Sequence, residues 1–406
     1  MQKVRVIKGG VCSAKGFRAA GVGAEIKYKG RNDVALIVAD EPCVAAAVFT
    51  TNKVAAAPVV YDRDIIRSGT AQVILANSGC ANACTGEQGM QDAQLSALVT
   101  AGEVGVKPGH VLVASTGVIG RRLPIERLLA GMRAAKRLLG NTYEHGLAAE
   151  KAVMTTDTKP KQACAQVKIG GKTVTVGGMS KGSGMIEPNM ATMLGFVTTD
   201  AAISRPMLKR ALGLALNKSF NRVVVDGDES TNDSLFLLAS GKAGNPTIVK
   251  AGADFDAFLA ALESVCISLA KQMATDGEGA TKFVTVTVKG AKTEKDAERA
   301  ARAVAKSPLA KTSWFGKDPN WGRVLAAVGY SGAAVEDMKT EVFYDRVWAF
   351  RRGKIADAKQ LAKLETVMKK DAFTVTVDLH LGTGAASVYT CDFSLDYVHI
   401  NADYTT

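Results

Sequence analysis

The sequence predicts an α/β or α+β protein with more than one domain. Runs of strand character alternate with stretches of helical periodicity along the chain. Glycine is frequent, 40 in 406 residues, which suits many tight turns and close backbone approaches. A chain of 406 residues also exceeds what a single core usually organises. Hydrophobic residues at 47% and charged residues at 22% are the balance of an ordinary globular protein and argue against a disordered chain.

In chain order, Ala24 to Tyr28 alternates and predicts a strand. The nearly all-apolar Val34 to Ala39 and the small, β-prone Val44 to Thr50 predict two more. Gln72 to Ala76 is a short apolar run ending in the turn-rich Asn77-Ser78-Gly79. Helices are expected at about 91–104 and 124–138. Pro124 opens the second, and Ile125, Leu128, Leu129 and Met132 recur at helical spacing. Between them, His110 to Ala114 is a strand running into Ser115-Thr116-Gly117. Ala163 to Ile169 and Val174 to Val176 read as strands before a Gly-rich stretch, and Thr192 to Thr199 as a buried strand followed by a helix at about 204–219. Arg222 to Val225 leads into an acidic turn, Asp226 to Asp233, and a long helix fills about 253–274. After Asp276-Gly277-Glu278-Gly279 the style changes. Lys282 to Val288 alternates with period two, a helix follows at about 293–306, and the strands Glu341 to Phe350 and Phe373 to Leu381 flank a Lys-rich helix near 357–370. A domain boundary is expected near 280–290.

Charge and composition narrow the function. The chain carries 51 Lys and Arg against 39 Asp and Glu, a net +12 spread along its length, which favours acidic ligands only weakly. A nucleic-acid-binding protein would cluster its basic residues among stacking aromatics. Aromatics are 6% and the basic helix near 357–370 has no such interleaving, so no nucleic-acid partner is expected. Met1 to Lys8 mixes charge with apolar residues, and no run approaches the roughly 18 apolar residues of a membrane span. Seven scattered cysteines fit reduced thiols and a cytoplasmic location. The four histidines, His110, His145, His380 and His399, lie far apart, and neither an HExxH motif nor paired CxxC motifs are present, so no metal site is expected. The Asp226-Gly227-Asp228 turn lacks EF-hand spacing. It reads as a hydrogen-bonded turn, and it also suits a wall beside an active site.

The segment 177–194 stands out, and its residues alone allow two readings, a plain Gly-rich loop entering a core strand or a site of self-cleavage. Glycines at 177, 178, 182 and 184 precede Glu187-Pro188-Asn189-Met190, then Ala191 and Thr192 at the start of an apolar stretch. A threonine hydroxyl set against its own upstream carbonyl can attack it, shift the acyl group from N to O and break the chain. The freed terminal threonine combines a nucleophile with a base, because an α-amine titrates near pH 8. Acyl transfer then needs no histidine.

Lys181 to Leu194 resembles the self-cleavage segment of the ornithine acetyltransferase (glutamate N-acetyltransferase) family of arginine biosynthesis. Further stretches resemble family motifs in order along the chain: Asn77-Ser78-Gly79 with Ala81 to Gly86, Ala114 to Gly120, Met154 to Thr158, Asp226 to Asp233, Asp318 to Arg323, and Asp396 to Thr406. Cys80 departs from the asparagine expected there. The resemblance implies a layered α/β sandwich of the self-processing aminopeptidase and ornithine acetyltransferase type with a smaller C-terminal α+β domain. Cleavage between Ala191 and Thr192 would give an α chain of residues 1–191 and a β chain of 192–406, assembling two of each. Residues 192–285 would complete the active-site domain and 286–406 would form the C-terminal one. Acetyl would pass from N2-acetyl-L-ornithine to L-glutamate through acetyl-Thr192, with ping-pong kinetics. Thr116 and Gly117 would form the oxyanion hole, and Thr155, Lys181, Thr192, Glu278, Asn401 and Thr406 would contact the substrate amino acid. No cofactor is implied, although some family members also take acetyl from acetyl-CoA as a co-substrate. The rival reading is a self-processed aminopeptidase or amidase that releases the acyl group to water.

Overall fold

The structure, a computed structural model, describes residues 3–187 and 193–403. Its strands in chain order begin with β1 (Arg5–Ile7), β2 (Phe17–Val22), β3 (Val34–Phe49), β4 (Thr70–Asn77), β5 (Val111–Ser115), β6 (Gln162–Ile169), β7 (Lys172–Lys181) and β8 (Leu194–Thr199). They continue with β9 (Val223–Val224), β10 (Ser234–Ala239), β11 (Phe283–Ala291), β12 (Glu341–Tyr344), β13 (Val347–Arg351), β14 (Lys354–Ile355), β15 (Ala372–Asp378) and β16 (Gly384–Cys391). The helices are α1 (Ala57–Ile65), α2 (Gly86–Val104), α3 (Ile125–Arg137), α4 (Tyr143–Val153), α5 (Arg205–Lys218), α6 (Ala253–Thr275), α7 (Glu294–Lys306), α8 (Pro308–Phe315), α9 (Trp321–Gly329), α10 (Ala358–Met368) and α11 (Leu395–Asp403).

Two compact units result. The first holds the described residues up to Asn221 together with Asp228–Met273, and the second holds Arg222–Gly227 together with the described residues from Ala274 onward. The boundary expected after residue 285 therefore moves. It would cut β11, which pairs along its length with β15 and β16, and a strand belongs to the sheet that satisfies its backbone.

The first unit is built on a nine-stranded sheet in the order β1-β6-β7-β8-β10-β3-β4-β5, with β2 added beside β3. The two strands expected at 34–39 and 44–50 are one strand, β3, with an irregularity between Val38 and Cys43. Its first part pairs with β2 and β4, and its second part with β10 and, at Cys43 and Val44, with the start of β4. Alternation sorts the first part between two cores. Val34, Leu36 and Val38 pack with Ala93 and Ala97 of α2 and Leu128, Leu129 and Met132 of α3. Ala35, Ile37 and Ala39 instead share a core with Met179 of β7, Leu194 and Phe196 of β8, and Phe236 and Leu238 of β10. The sheet thus folds over on itself at β3, and its two halves pack face to face. On β7, the face opposite Met179 meets α6, with Leu269 against Gly178. The layered α/β sandwich is as expected.

The second unit is simpler. Seven strands in the order β14-β13-β12-β15-β11-β16-β9 present one face to helices. Val284, Val286 and Val288 of β11 bury against Ala300, Ala301 and Val304 of α7 and Val324 and Val328 of α9, while Thr285 and Thr287 face the other way. Thr287 meets Ser387 across that outer face, the two hydroxyls 2.9 Å apart.

Two expected strands are corrected. Ala24 to Tyr28 is irregular: the buried Asp33 carboxylate accepts the backbone N–H groups of Ala24 and Ile26, both at 2.6 Å, and so takes the donors a strand would use. Glu341 to Phe350 is a hairpin of β12 and β13, turning at Asp345 with φ +53°. The Asp345 carboxylate stabilises the turn by accepting Thr374 N at 2.9 Å.

Candidate active site

In the first unit two of the candidate segments lie at the ends of strands. β5 ends at Ser115 and delivers Thr116 and Gly117, while β7 ends at Lys181. The two strands lie in opposite halves of the folded sheet, and the Lys181 ammonium donates to Thr116 Oγ1 at 3.1 Å, both residues being buried. β7 and β8 are antiparallel neighbours with Lys181 opposite Leu194, so the segment expected to self-cleave connects adjacent strands. Ala191 and Thr192 themselves lie outside the described residues, as does Thr406.

The Thr116-Gly117 corner is fixed tightly. Thr116 N donates to Asn77 O at 3.0 Å, so its main-chain donor is committed and its hydroxyl is the group left for a ligand. That hydroxyl already accepts from Lys181, which makes it a stronger donor. Gly117 has φ +127°, and a Cβ there would lie 2.4 Å from the carbonyl carbon of Gly79. Only glycine fits such a backbone contact. Asn232 binds this corner to a neighbouring loop, donating to Ser115 O at 2.8 Å and Ala81 O at 2.6 Å. The next residue, Asp233, accepts Met193 N at 2.6 Å and so holds the chain one residue after Thr192. This end of the acidic turn is therefore hydrogen-bonded to the segments that carry Thr116 and Met193.

Thr155 follows α4, and Arg31 pins its segment. One guanidinium nitrogen donates to Thr155 O at 3.4 Å and another to Met154 O. Asp157 carries no chemical assignment from its sequence context, yet it lies at the centre of the local hydrogen bonding. Its Oδ1 accepts Lys161 Nζ at 2.6 Å and Gly182 N at 2.7 Å, and its Oδ2 accepts Thr155 N at 3.0 Å. Burial pushes the Asp157 carboxyl up, but the Lys161 and Lys181 ammonium groups outweigh it and bring the pKa down to about 2. Glu150 of α4 accepts Lys161 N at 2.6 Å, and complete burial raises its carboxyl well above the usual range. The Thr155-x-Asp157 spacing was the available signal, since a carboxylate two residues on commonly takes a backbone N–H. Nothing local announces that the same carboxylate also reaches Gly182.

In the second unit, Glu278 sits in the turn before β11, buried, and its Oε2 accepts Asn401 Nδ2 at 2.8 Å. Asn401 lies on α11, and this terminal helix docks on the turn. Ser394 donates to Gly279 O at 2.6 Å and caps the helix by accepting Asp396 N at 3.1 Å. Gly279 has φ +66°, and a Cβ there would lie 2.4 Å from Tyr397 N.

Among the described residues no cluster of His, Cys, Asp and Glu could hold a metal ion, and no helix is long and apolar enough to cross a membrane. The seven cysteines are all unbridged, and Cys80 turns its thiol to Arg121 O at 3.3 Å.

A family model described as the ArgJ family matches residues 18–406. The arginine biosynthesis bifunctional protein ArgJ of Geobacter sulfurreducens is 51% identical over 97% of this chain and all of its own. The glutamate N-acetyltransferase of Methanocaldococcus jannaschii is 45% identical over 99% of this chain and all of its own. A crystal structure of an ornithine acetyltransferase complexed with ornithine from Mycobacterium tuberculosis is similar at 39% identity and a TM-score of 0.43, covering 46% of this chain and 99% of that one.

Proposed function

The chain belongs to the ArgJ family, and on that premise we propose that it is an acetyltransferase of arginine biosynthesis, moving acetyl from N2-acetyl-L-ornithine to L-glutamate. The observation that carries this reading is the buried Lys181 ammonium resting on the Thr116 hydroxyl at 3.1 Å. A cation suited to an amino-acid carboxylate and a hydroxyl suited to an oxyanion sit within one hydrogen bond of each other.

The chain first processes itself. Thr192 Oγ adds to the Ala191 carbonyl carbon, the Ala191–Thr192 C–N bond breaks, and water hydrolyses the resulting ester. This leaves a carboxylate on Ala191 and a free α-amine on Thr192. In the first half-reaction Thr192 Oγ attacks the acetyl carbonyl of N2-acetylornithine and its proton passes to the Thr192 α-amine. The amine then returns the proton to the departing α-nitrogen of ornithine. The Thr116 hydroxyl and the Gly117 N–H donate to the oxyanion. In the second half-reaction the α-amine of glutamate attacks the acetyl ester and Thr192 recovers its proton. By resemblance to the family's motifs, Thr155, Lys181, Glu278, Asn401 and Thr406 are the residues proposed to contact the amino-acid portion. The acetyl ester needs no cofactor, and acetyl-CoA enters only as an alternative acetyl donor. The mature protein pairs two α chains (1–191) with two β chains (192–406) and acts in the cytoplasm, where its thiols stay reduced.

Intact mass of the denatured protein beside a Thr192→Ala variant tests the first step. Chains of 191 and 215 residues are expected from the wild type and one chain from the variant. Isotope-labelled N2-acetylornithine with glutamate tests the second. Label in N-acetylglutamate supports transfer, label in free acetate establishes the amidase instead, and intersecting double-reciprocal plots would exclude the acetyl-enzyme.

A further inference from the structure

Asp157 is a buried charge to which the reaction above assigns no task. Its carboxylate bonds two chain segments that are remote in sequence and each carry a candidate substrate contact. One N–H it accepts belongs to Thr155 and the other to Gly182, directly after Lys181. A third donor, the Lys161 ammonium, holds the carboxylate in place at 2.6 Å, and both side chains are almost wholly buried. We propose that Asp157 is a positioning residue for the acetyl transfer, setting the separation and orientation of Thr155 and Lys181 so that one amino acid can engage both. The proposal rests on the functional reading above.

Three considerations support it. A carboxylate accepts all three donors, whereas an asparagine at this position would turn N–H groups toward at least one of them. The negative charge acts on Lys181 as well as on Lys161, which lowers the cost of holding both cations in a buried site. The Asp157–Gly182 bond also anchors the N-terminal end of the segment that continues, in sequence, to Ala191 and Thr192. Displacement of a substrate-holding group by about 1 Å is enough to lower turnover by roughly a hundredfold.

The molecule contains its own control. Glu150 is a second buried carboxyl on the same lysine, bound to Lys161 N, and among the described residues it makes no hydrogen bond to the Thr155 or Gly182 backbone. Asp157→Asn and Glu150→Gln are therefore compared in the full-length protein. Amide hydrogen exchange is followed in peptides covering 154–158 and 181–187, and kcat and KM are measured for N2-acetylornithine and glutamate. Asp157→Asn is expected to speed exchange in both peptides and to raise both KM values about tenfold at an unchanged titrated fraction of active sites. Glu150→Gln is expected to stay within about threefold of wild type. A merely structural role would lower the active fraction and leave KM alone. Wild-type KM values in Asp157→Asn, unchanged exchange, or an equal loss in Glu150→Gln would each overturn the proposal. If Asp157→Asn does not fold, Asp157→Glu keeps the charge beside Lys161 while displacing it. Raised KM values in that variant support the positioning role and wild-type values sink it. A wild type that moves no acetyl to glutamate removes the functional reading instead, and the exchange comparison still decides whether Asp157 ties the two segments.

Discussion

Strands β3 and β11 show how differently the two units are made. Every residue of β3 from Val34 to Ala39 is buried, because one face meets α2 and α3 and the other meets the opposite half of the same sheet. β11 buries every second residue and leaves its threonines half-exposed. The contrast extends to the site residues. In the first unit Lys181, Asp157, Lys161 and Glu150 are buried groups, and hydrogen bonds to Asp157 and Glu150 tie the segment after α4 to the end of β7. In the second unit Glu278 is bonded to the neutral amide of an exposed residue on a terminal helix. A layer closed on both sides can hold charges out of water in set positions, whereas a one-sided layer leaves its polar contacts adjustable.

The largest effect expected from this contrast is at glycine. Gly117→Ala places a Cβ against the Gly79–Cys80 backbone inside the sandwich, where neither strand end can yield, and should cost about 3–5 kcal/mol. Gly279→Ala meets the N-terminal part of α11, which can shift, and should cost about 1–2 kcal/mol. Denaturant unfolding of the two variants measures both, and equal losses would erase the distinction between the units.

Side-chain truncation is the next test. Leu36→Ala and Ile37→Ala lie on opposite faces of β3 and should each cost about 2–5 kcal/mol. In β11 Val286→Ala should be comparably damaging for its smaller size, while its neighbour Thr285→Ala should stay within about 0.5 kcal/mol. A costly Thr285→Ala would show that the outer face of β11 is covered in the functional assembly.

Two carboxyls on one lysine should respond to pH in opposite directions. Asp157 has a depressed folded pKa of about 2, so its stabilisation is present above its unfolded value and is lost as pH falls through roughly 4 to 2, worth about 2 kcal/mol. Glu150 has a raised folded pKa, so its contribution is complete below about pH 4 and declines as pH rises above that. Glu150→Gln should therefore melt close to wild type in acid and above it at pH 8. Melting curves across pH check this, and a Glu150→Gln variant less stable at pH 8 would show the carboxyl to be ionised and needed.

The smallest effect belongs to the terminal helix. Asn401→Ala removes one hydrogen bond to Glu278 and should cost at most about 1 kcal/mol of stability. It should raise KM for the amino-acid substrate several-fold, and deletion of residues 401–406 should raise it further. Unchanged KM in both would remove the C-terminal segment from the site.

Much of the local structure was legible because it is local. Period-two alternation in Lys282 to Val288 and helical spacing in Ile125 to Met132 record which face each element buries. The candidate site residues, from Thr116-Gly117 to Lys181 and Glu278, were legible only through motifs that resemble the family's. Patterns failed where a side chain or a long-range pairing overrode the local preference. Asp33 takes the donors of an expected strand at 24–28, Asp345 stabilises the turn that divides 341–350 into a hairpin, and β3 joins two expected strands into one that serves both halves of the sheet. Asp157 is the clearest case. Its bond to Thr155 spans two residues and suits its sequence, but its bond to Gly182 spans 25 and exists only because the end of α4 and the end of β7 are brought together. The order of hydrophobic and polar residues determined most of the elements and the layered class, and the motifs marked the candidate residues. Which of those residues touch, and which buried charges hold them there, was decided by the folding of one sheet onto itself, because contact between distant segments depends on the packing of the whole core and leaves no periodicity in the chain.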